Sequence, residues 1–199
     1  MADTDRRKWD ARYAAEGAPE EPSAWLTSLD GHLPREGRAL DVAGGAGRNA
    51  VWLAKRGLRV TLVDVSPVGL LVAERRAREA GVTIETLRRD LDEEPLPEGP
   101  WDVILQSHYL ERPLFRQYPR LLAPNGLLVV EHPTRSNLLR HAKPGAAYLL
   151  DDGELPSLCA GLSMVRYEEG WTEQGRHEAR CLARRSADGG GHMQGASRE

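Results

Sequence analysis

The sequence predicts an α/β domain with a doubly wound, mostly parallel seven-stranded sheet that ends in an antiparallel C-terminal hairpin. Strand and helix patterns alternate from residue 38 onward, which is typical of parallel strands joined by right-handed crossovers. Residues 127–131 form a nearly continuous apolar run, as expected for a strand buried on both faces. The last two strand patterns, 162–167 and 178–184, are joined without a helix, so we expect an antiparallel pair at the sheet edge.

Local signals define each element in turn. The predicted strands are 38–43, 58–63, 82–87, 101–106, 127–131, 162–167 and 178–184. Helices are expected at 3–15, from Trp25 to about residue 31, at 49–56, 66–80 and 110–122, and within 149–160. Ser66 followed by Pro67 is a strong helix start, because serine caps free amide groups and proline suits the first helical position. Pro124-Asn125-Gly126 predicts a tight turn.

The chain length of 199 residues fits one domain with one core. We expect that domain to cover residues 1–185, with residues 1–35 as an N-terminal helical lid segment. Residues 186–199 contain three successive glycines and no apolar period, which predicts a flexible tail.

Composition narrows the function classes. Hydrophobic residues make up 40% and charged residues 29% of the chain, which are ordinary globular values. The net charge of −3 supplies no basic field, so we expect no nucleic-acid partner. No apolar run approaches the length of a membrane span and the start does not resemble a signal peptide, so we expect a cytoplasmic protein without a membrane partner. Cys159 and Cys181 form no CxxC pair, which favours free buried thiols.

The most informative stretch is the glycine-rich turn that follows the first predicted strand. Gly44, Gly45 and Gly47 lie just before a helical pattern. A cofactor can approach the backbone where Cβ atoms are absent, and the first amide groups of the helix face the same place. A glycine-rich turn alone is weak evidence, since a tight strand–helix connection needs the same residues.

Two acids at the ends of later strands strengthen this interpretation. Asp64 ends the second strand 20 residues after Gly44, where a carboxylate can accept both hydroxyl groups of a ribose. Asp90 follows the third strand and would lie farther along the same crevice. The alternative for Asp90 is a loop or capping carboxylate, because acidic residues surround it. The combined pattern predicts a nucleotide-type cofactor site.

These residues resemble a known family. Asp41-Val-Ala-Gly-Gly-Ala-Gly47 resembles the first motif of class I S-adenosylmethionine-dependent methyltransferases, and Asp64 and Asp90-Leu91 resemble their ribose and adenine motifs. Residues 101–105 and 121–130 resemble their fourth and fifth strands, so the likeness runs from about residue 9 to 184. It implies a Rossmann-like fold. Gly47-Arg-Asn49 and Trp9-Asp-Ala-Arg-Tyr13 are most similar to the branch that includes tellurite-resistance and thiopurine methyltransferases.

The resemblance implies that S-adenosylmethionine is the cofactor and that its methyl group passes to a small-molecule acceptor by in-line displacement. The implied cofactor-binding residues are Asp41, Gly44, Gly45, Ala46, Gly47, Asp64, Val65, Asp90, Leu91, Gln106, Trp9 and Tyr13. The family's first glycine is replaced by Ala43, which we expect to fit if it keeps a negative φ. Trp9 and Tyr13 either close over the cofactor or anchor the first helix to the sheet.

Four residues are candidates for the acceptor side. For an oxygen or amine acceptor, His108 or His132 could take a proton, since histidine titrates near neutral pH. Either one could instead be a structural hydrogen-bonding residue. Tyr109 could stack on an acceptor or pack at the rim, and Arg48 could pair with a carboxylate or remain solvated.

The same sequence pattern is compatible with other functions. An NAD-dependent oxidoreductase would share the first strand, the glycines and Asp64, although it normally has G-x-G-x-x-G and a second nucleotide-binding half. A non-catalytic relative of the fold is a further alternative. The four histidines 108, 132, 141 and 177 have no ligand-like spacing, so we expect no metal site. Monomer and homodimer are both compatible with the sequence.

Overall fold

The computed structural model describes residues 2–15 and 19–187. The strands are β1 (Arg38–Val42), β2 (Arg59–Asp64), β3 (Ile84–Arg88), β4 (Trp101–Ser107), β5 (Leu122–Pro133), β6 (Ser163–Trp171) and β7 (His177–Arg184). The helices are α1 (Ala2–Ala15), α2 (Ala24–Ser28), α3 (Arg48–Lys55), α4 (Pro67–Glu79), α5 (Arg112–Phe115), α6 (Tyr118–Leu121) and α7 (Leu155–Leu158). Two 3-10 turns, Arg135–Leu139 and Ala146–Tyr148, lie between β5 and α7.

The strands form one seven-stranded sheet in the order β3-β2-β1-β4-β5-β7-β6. The neighbouring pairs from β3 to β5 are parallel, whereas β7 runs antiparallel to both β5 and β6. The strand order reverses direction between β1 and β4, and ligand crevices of open α/β sheets form at such a point. The predicted fold class is therefore confirmed.

Both faces of the sheet are covered, which explains the apolar character of its central strands. On one face, α5, α6 and α7 complete a cluster that includes Leu40, Ile104, Leu128, Tyr118 and Leu155. On the other face, α2, α3 and α4 complete a cluster that includes Ala39, Val103, Trp25, Leu53 and Leu70. Every residue in these two samples has at most 6% of its surface exposed, so side chains of the central strands contribute to packing on both sides.

The start of α4 is built as the sequence predicts. The Ser66 hydroxyl accepts a hydrogen bond from the amide of Gly69 at 3.0 Å, and Pro67 occupies the first helical position. Such a cap satisfies an amide that has no partner within the helix. The observed helix ends at Glu79, one residue before the predicted end.

The connection from β4 to β5 differs from the prediction. The stretch 110–122 is mostly helical as expected, but its helical residues are divided between two four-residue helices, α5 and α6. Pro113 and Pro119 each stand in the first turn of one helix, and proline inside a continuous helix would remove a hydrogen bond and clash with the preceding turn. The turn at Pro124-Asn125-Gly126 lies within β5, where Asn125 has a φ of +63° and the pairing with β4 shifts register.

Among the described residues, no helix combines the length and hydropathy that crossing a bilayer requires. The predicted tail begins at residue 186, and from residue 188 onward it lies outside the described residues.

Candidate functional site

The carboxyl ends of β1, β2, β4 and β5 meet at one edge of the sheet, and the glycine-rich turn lies at the centre of this edge. Gly45 and Gly47 have φ values of +55° and +75°, so this turn needs residues without a Cβ. A Cβ at Gly44 would lie 2.6 Å from Oδ2 of Asp41. Ala43 has a φ of +53°, so the condition of a negative φ, under which its methyl group was expected to fit, is not met. Its methyl group is accommodated in a left-handed conformation at a cost of roughly 1–2 kcal/mol.

Asp41 is almost fully buried beneath this turn, with 1% of its surface exposed. Neither of its carboxylate oxygens makes a hydrogen bond of ordinary geometry within the described residues. Burial, reinforced by the charge of Asp64, raises the pKa of Asp41 to about 7, although Arg48 and the Ala50 amide oppose the shift. A buried carboxylate without a donor is costly, so this geometry suits a ligand that brings a donor or a positive charge.

Asp64 holds the glycine-rich turn against the end of β2. Its Oδ2 accepts a hydrogen bond from the Gly45 amide at 2.8 Å, and its Oδ1 accepts one from the Ser66 amide at 2.9 Å. Burial raises the pKa of Asp64, while the amides of Ser66, Gly45 and Val65 oppose that shift. Each oxygen can accept a further hydrogen bond, so the carboxylate can bind a diol while it clamps the turn.

Asp90 provides a third carboxylate at the same edge. Its Oδ1 accepts a hydrogen bond from the Asp92 amide at 3.1 Å, so Asp90 does act as a capping carboxylate of its loop, as the alternative interpretation expects. Its Oδ2 is buried and has no hydrogen-bond partner among the described residues. Leu91 beside it is 8% exposed and offers an apolar surface. One oxygen of Asp90 therefore stabilises the loop, and the other is available to a ligand donor.

Helix α1 lies over the glycine-rich turn. The rings of Trp9 and Tyr13 stack with their centroids 5.8 Å apart. The Tyr13 hydroxyl contacts Gly45 so closely that a Cβ there would overlap it, and the Tyr13 ring contacts Gly69. Asp10 accepts a hydrogen bond from the Ser66 hydroxyl at 2.6 Å. These contacts anchor α1 to the turn and to the start of α4.

Gln106 at the end of β4 has both polar ends of its side chain occupied. Its Nε2 donates to the carbonyl oxygen of Tyr109 at 2.7 Å, and its Oε1 accepts from the Tyr118 hydroxyl. The side chain therefore fixes the 106–109 turn. Contact between Gln106 and a cofactor stays a prediction, and it would involve atoms other than these.

The two candidate histidines have different surroundings. His132 on β5 is buried, and its Nε2 donates to the Tyr148 carbonyl oxygen at 2.8 Å. Burial lowers the pKa of His132 to about 4, so it is a neutral and weakly basic group at neutral pH. His108 follows β4 with a φ of +56°, and 29% of its side chain is exposed. Of the two, His108 is the better placed to exchange a proton.

The other two acceptor-side candidates have ordinary partners. Arg48 reaches the carbonyl oxygen of Glu21 at 3.4 Å, which connects α3 with the segment before α2. Tyr109 is partly buried, and burial together with the charges of Asp92 and Glu111 raises its pKa. Tyr109 is therefore an aromatic surface with a protonated hydroxyl at neutral pH.

Sequence reasoning missed several residues that the fold brings to this edge. Around His108 stand Ser107, Glu131 and Glu178. The signal for Glu131 was present, since it is an acid directly after the apolar run 127–130. Glu178 had no local signal, because its position depends on the pairing of β7 with β5.

A second missed group contains Asp152, Glu169 and His177, whose potential ligand atoms lie within 4.8 Å of one another. The expectation of no metal site did not anticipate this group. Both oxygens of Asp152 accept hydrogen bonds from Ser136, and both oxygens of Glu169 accept from the Gly153 amide. These bonds give the two acids a structural role in holding the 151–153 loop.

Known proteins share sequence with this chain. Residues 39–126 match the family described as a methyltransferase domain. A ubiquinone biosynthesis O-methyltransferase of Caulobacter sp. (strain K31) is 36% identical over 130 residues, which is 61% of this chain and 51% of that protein. The chain spans about half the length of the first curated relatives it matches.

Solved structures share the fold. TehB from Haemophilus influenzae has a TM-score of 0.70 at 17% identity, with 90% of this chain and 67% of that chain covered. A TehB-like SAM-dependent methyltransferase from Corynebacterium glutamicum has a TM-score of 0.63 at 20% identity, with 93% and 98% covered. By sequence, residues 39–126 therefore match a methyltransferase domain, and the chain as a whole has the fold of these solved S-adenosylmethionine-dependent methyltransferase structures.

Proposed function

We propose that this chain transfers a methyl group from S-adenosylmethionine to a small-molecule acceptor. The observation that supports this most directly is a pair of carboxylates, Asp41 and Asp90. Both oxygens of Asp41 and Oδ2 of Asp90 are buried and make no hydrogen bond of ordinary geometry within the described residues. They stand on either side of Asp64 at one edge, beside a turn without side chains at Gly44 and Gly45. A ligand with a cationic amine, a ribose diol and an aromatic amine would satisfy all three acids.

The roles that we propose follow from these surroundings. Asp41 receives the cationic amine. Burial disfavours the ionised form of the Asp41 carboxyl group, and a cation bound beside it would favour that form again. Asp64 accepts the ribose hydroxyl groups with the lone pairs that Gly45 and Ser66 leave free. Asp90 accepts from the adenine amine through Oδ2, and Leu91 packs against the ring. Val65, Ala46 and Gly47 complete the floor through their backbone.

Bound S-adenosylmethionine would supply a methyl group on a sulfonium, which is an excellent leaving group. The contribution of the chain is therefore to hold the two reactants in line and to exclude water. Helix α1 serves the second task, because Trp9 and Tyr13 cover the turn from outside. The Lys8 ammonium lies 5.6 Å from the Trp9 ring and 5.9 Å from the Tyr148 ring, which brings α1 close to the 146–148 turn.

That closure supports a small acceptor, and the O-methyltransferase among the relatives supports the same class. The net charge of −3 supports the absence of a nucleic-acid partner. We propose one domain over residues 1–185, with residues 1–35 as its lid. We also propose a cytoplasmic location, since the buried Cys159 and Cys181 are free thiols.

Calorimetry with S-adenosylmethionine and with NAD tests the cofactor. We expect S-adenosylmethionine to bind and NAD to bind weakly or not at all, and tighter binding of NAD would overturn the proposal. Asp64→Ala should weaken S-adenosylmethionine binding at least about tenfold, since each hydrogen bond to a charged group is worth ~1.5–3 kcal/mol. Asp151→Ala, which changes an exposed acid that pairs with Arg135, is the matched control. Unchanged affinity in Asp64→Ala, with folding verified by circular dichroism, would reject the ribose role.

A further inference from the structure

The two cysteines of the chain lie against each other in the core, although they are 22 positions apart in sequence. Cys159 is the C-terminal capping residue of α7, and Cys181 lies within β7. Their Sγ atoms are 3.6 Å apart, and both side chains are buried as free thiols. A disulfide bond is about 2.05 Å long, so the sulfur atoms need to approach each other by only roughly 1.5 Å to form one.

Of the two residues, Cys159 is the one that can move. Cys181 is held in the sheet, because β7 pairs with β5 on one side and with β6 on the other. Cys159 ends a helix of four residues, and its amide donates to the Leu155 carbonyl oxygen at 3.2 Å. A helix this short gains little from its own hydrogen bonds and is stabilised mainly by its packing. A small displacement of α7 is therefore enough to bring the sulfur atoms together.

The contact gives the two thiols different reactivity. A hydrogen bond from the Cys181 thiol lowers the pKa of Cys159, although burial opposes this shift. The same contact, together with burial, raises the pKa of Cys181. The thiolate is the reactive form of cysteine, so Cys159 is the sulfur that attacks first. Cys181 lies in contact with it and can complete the reaction.

We propose that Cys159 and Cys181 form a redox site, which hydrogen peroxide or a related peroxide converts into a disulfide that fixes α7 against β7. This inference goes beyond the proposed methyl transfer and does not rest on it. It assigns to the buried thiols a reversible modification, and it identifies Cys159 as the attacking residue and Cys181 as the resolving residue.

The reaction has two steps. The Cys159 thiolate attacks a peroxide oxygen, the oxygen–oxygen bond breaks, and Cys159 becomes a sulfenic acid. The Cys181 sulfur then attacks the Cys159 sulfur, the sulfur–oxygen bond breaks, and the Cys181 proton leaves with the hydroxide as water. Two thiols lose two electrons in total, and hydrogen peroxide is reduced to two molecules of water.

The peroxide reaches Cys159 when α7 opens. Much of the turn around Cys159 is exposed, including Pro156, Ser157 and Ala160. The start of α7 is held by Arg112, whose guanidinium donates to the two oxygens of Glu154 at 2.6 and 2.8 Å. Opening of one surface turn requires less free energy than global unfolding does. The pair of Arg112 and Glu154 therefore controls how often the thiols meet the solvent.

The disulfide would close a loop that contains all of β6. Such a cross-link stabilises the folded state, mainly because the unfolded chain loses conformational freedom. In a reducing compartment both thiols stay reduced, which agrees with the proposed cytoplasmic location. The disulfide is therefore a transient state that an oxidant produces and a thiol reductant removes.

Treatment of the purified chain with hydrogen peroxide tests the proposal. We expect the intact mass to fall by about 2 Da, because two hydrogen atoms are lost, and dithiothreitol to restore it. Denaturing electrophoresis without reductant should show a monomer. A chain that gains oxygen without losing hydrogen, a disulfide between two chains, or no reaction at all would overturn the proposal.

Single substitutions identify the attacking sulfur. Cys181→Ala should stop at the sulfenic acid, and dimedone should then label Cys159. Cys159→Ala should react with hydrogen peroxide at least about tenfold more slowly, because the remaining thiol is buried and no longer has its partner. Faster labelling of Cys159→Ala than of Cys181→Ala would contradict the assigned roles.

A substitution at Arg112 tests the route through α7. Arg112→Ala should speed disulfide formation several-fold, because it removes the two hydrogen bonds that hold Glu154. Arg75→Ala, which breaks an exposed ion pair with Glu79 on α4, is the matched control and should react at the parent rate. Equal rates in all three proteins would refute the opening of α7 as the route.

Urea unfolding shows whether the disulfide fixes α7 against β7. The oxidised chain should unfold at a urea concentration roughly 1 M higher than the reduced chain. Hydrogen exchange at the amides of residues 155–162 should also slow on oxidation. An unchanged or lower midpoint, or unchanged exchange at these amides, would show that the disulfide does not fix the helix and would overturn that part of the proposal.

Discussion

Replacement of Asp41 by asparagine should change how the stability of the unliganded protein depends on pH. Burial raises the pKa of Asp41 from its ordinary 3.8 to about 7. The folded protein therefore holds this proton more tightly than the unfolded chain does. The contribution of protonated Asp41 to the free energy of unfolding is therefore complete below about pH 4, and it is lost as the pH rises through about 7.

The size of the effect follows from that difference. Each pH unit between the two pKa values is worth ~1.4 kcal/mol, so ionisation of Asp41 lowers the free energy of unfolding by about 4 kcal/mol at most. Local relaxation and water entry reduce such penalties, and we expect a measured difference of about 2–4 kcal/mol. Asp41→Asn has nearly the same shape and cannot ionise. It should match the parent chain at low pH and exceed it in stability at about pH 8.

Urea unfolding without cofactor, repeated across this pH range, measures the difference. Asp64 is also buried and has a raised pKa, so it makes the free energy of unfolding fall with rising pH in the parent chain and in Asp41→Asn alike. The difference between the two proteins therefore reports on Asp41. Asp151→Asn removes an exposed ion pair with Arg135 and should stay within about 0.5 kcal/mol of the parent at every pH. If Asp41→Asn loses stability with rising pH as steeply as the parent chain, the burial argument is refuted.

Two further substitutions test the contacts between α1 and the glycine-rich turn. Ser66→Ala removes both the cap of α4 and the bond to Asp10, and it should lower the free energy of unfolding by about 2 kcal/mol in urea, whereas Ser66→Thr should retain most of it. Gly45→Ala places a methyl group against the Tyr13 hydroxyl at a positive φ, so calorimetry should show at least about tenfold weaker S-adenosylmethionine binding. Gly31→Ala, with open space around its Cβ, should bind normally, and equal affinity in both glycine variants would contradict the proposed approach of the cofactor.

The elements that local chemistry controls could be predicted from the sequence. The run from Arg38 to Asp64 contains a strand, a glycine-rich turn, a helix and a second strand, and each of them has a local signal. Ser66 and Pro67 begin a helix for reasons contained in two adjacent residues. The three carboxylates that the structure gathers at one edge were visible as acids near the ends of predicted strands, Asp41 within the first strand and Asp64 and Asp90 after the second and third, because parallel strands bring their carboxyl ends together.

The remaining features depend on contacts between distant parts of the chain. Periodicity placed one helix over 110–122, although the two prolines that divide it are visible in the sequence. The sequence does not distinguish His108 from His132, since each follows or ends a predicted strand. Burial in the folded protein makes His132 the weaker base. The side chain of Gln106 is occupied by Tyr118 from the following helix, which no local pattern reveals. Ala43 adopts a conformation that its residue type disfavours, and no local pattern in the sequence indicates this.

The direction of β7 has a consequence for how this edge can evolve. If β7 ran parallel to β5, the first residues of β7 would lie at the opposite edge of the sheet, about one strand length from the carboxyl ends of the parallel strands. Because it is reversed, Pro133 pairs with Glu178, and the beginning of the last strand reaches the place where the other strands finish. The C-terminal hairpin can thus exchange side chains at the proposed acceptor side while the proposed cofactor half, built from earlier residues, stays unchanged. New acceptors could be adopted by altering a few positions around 176–178.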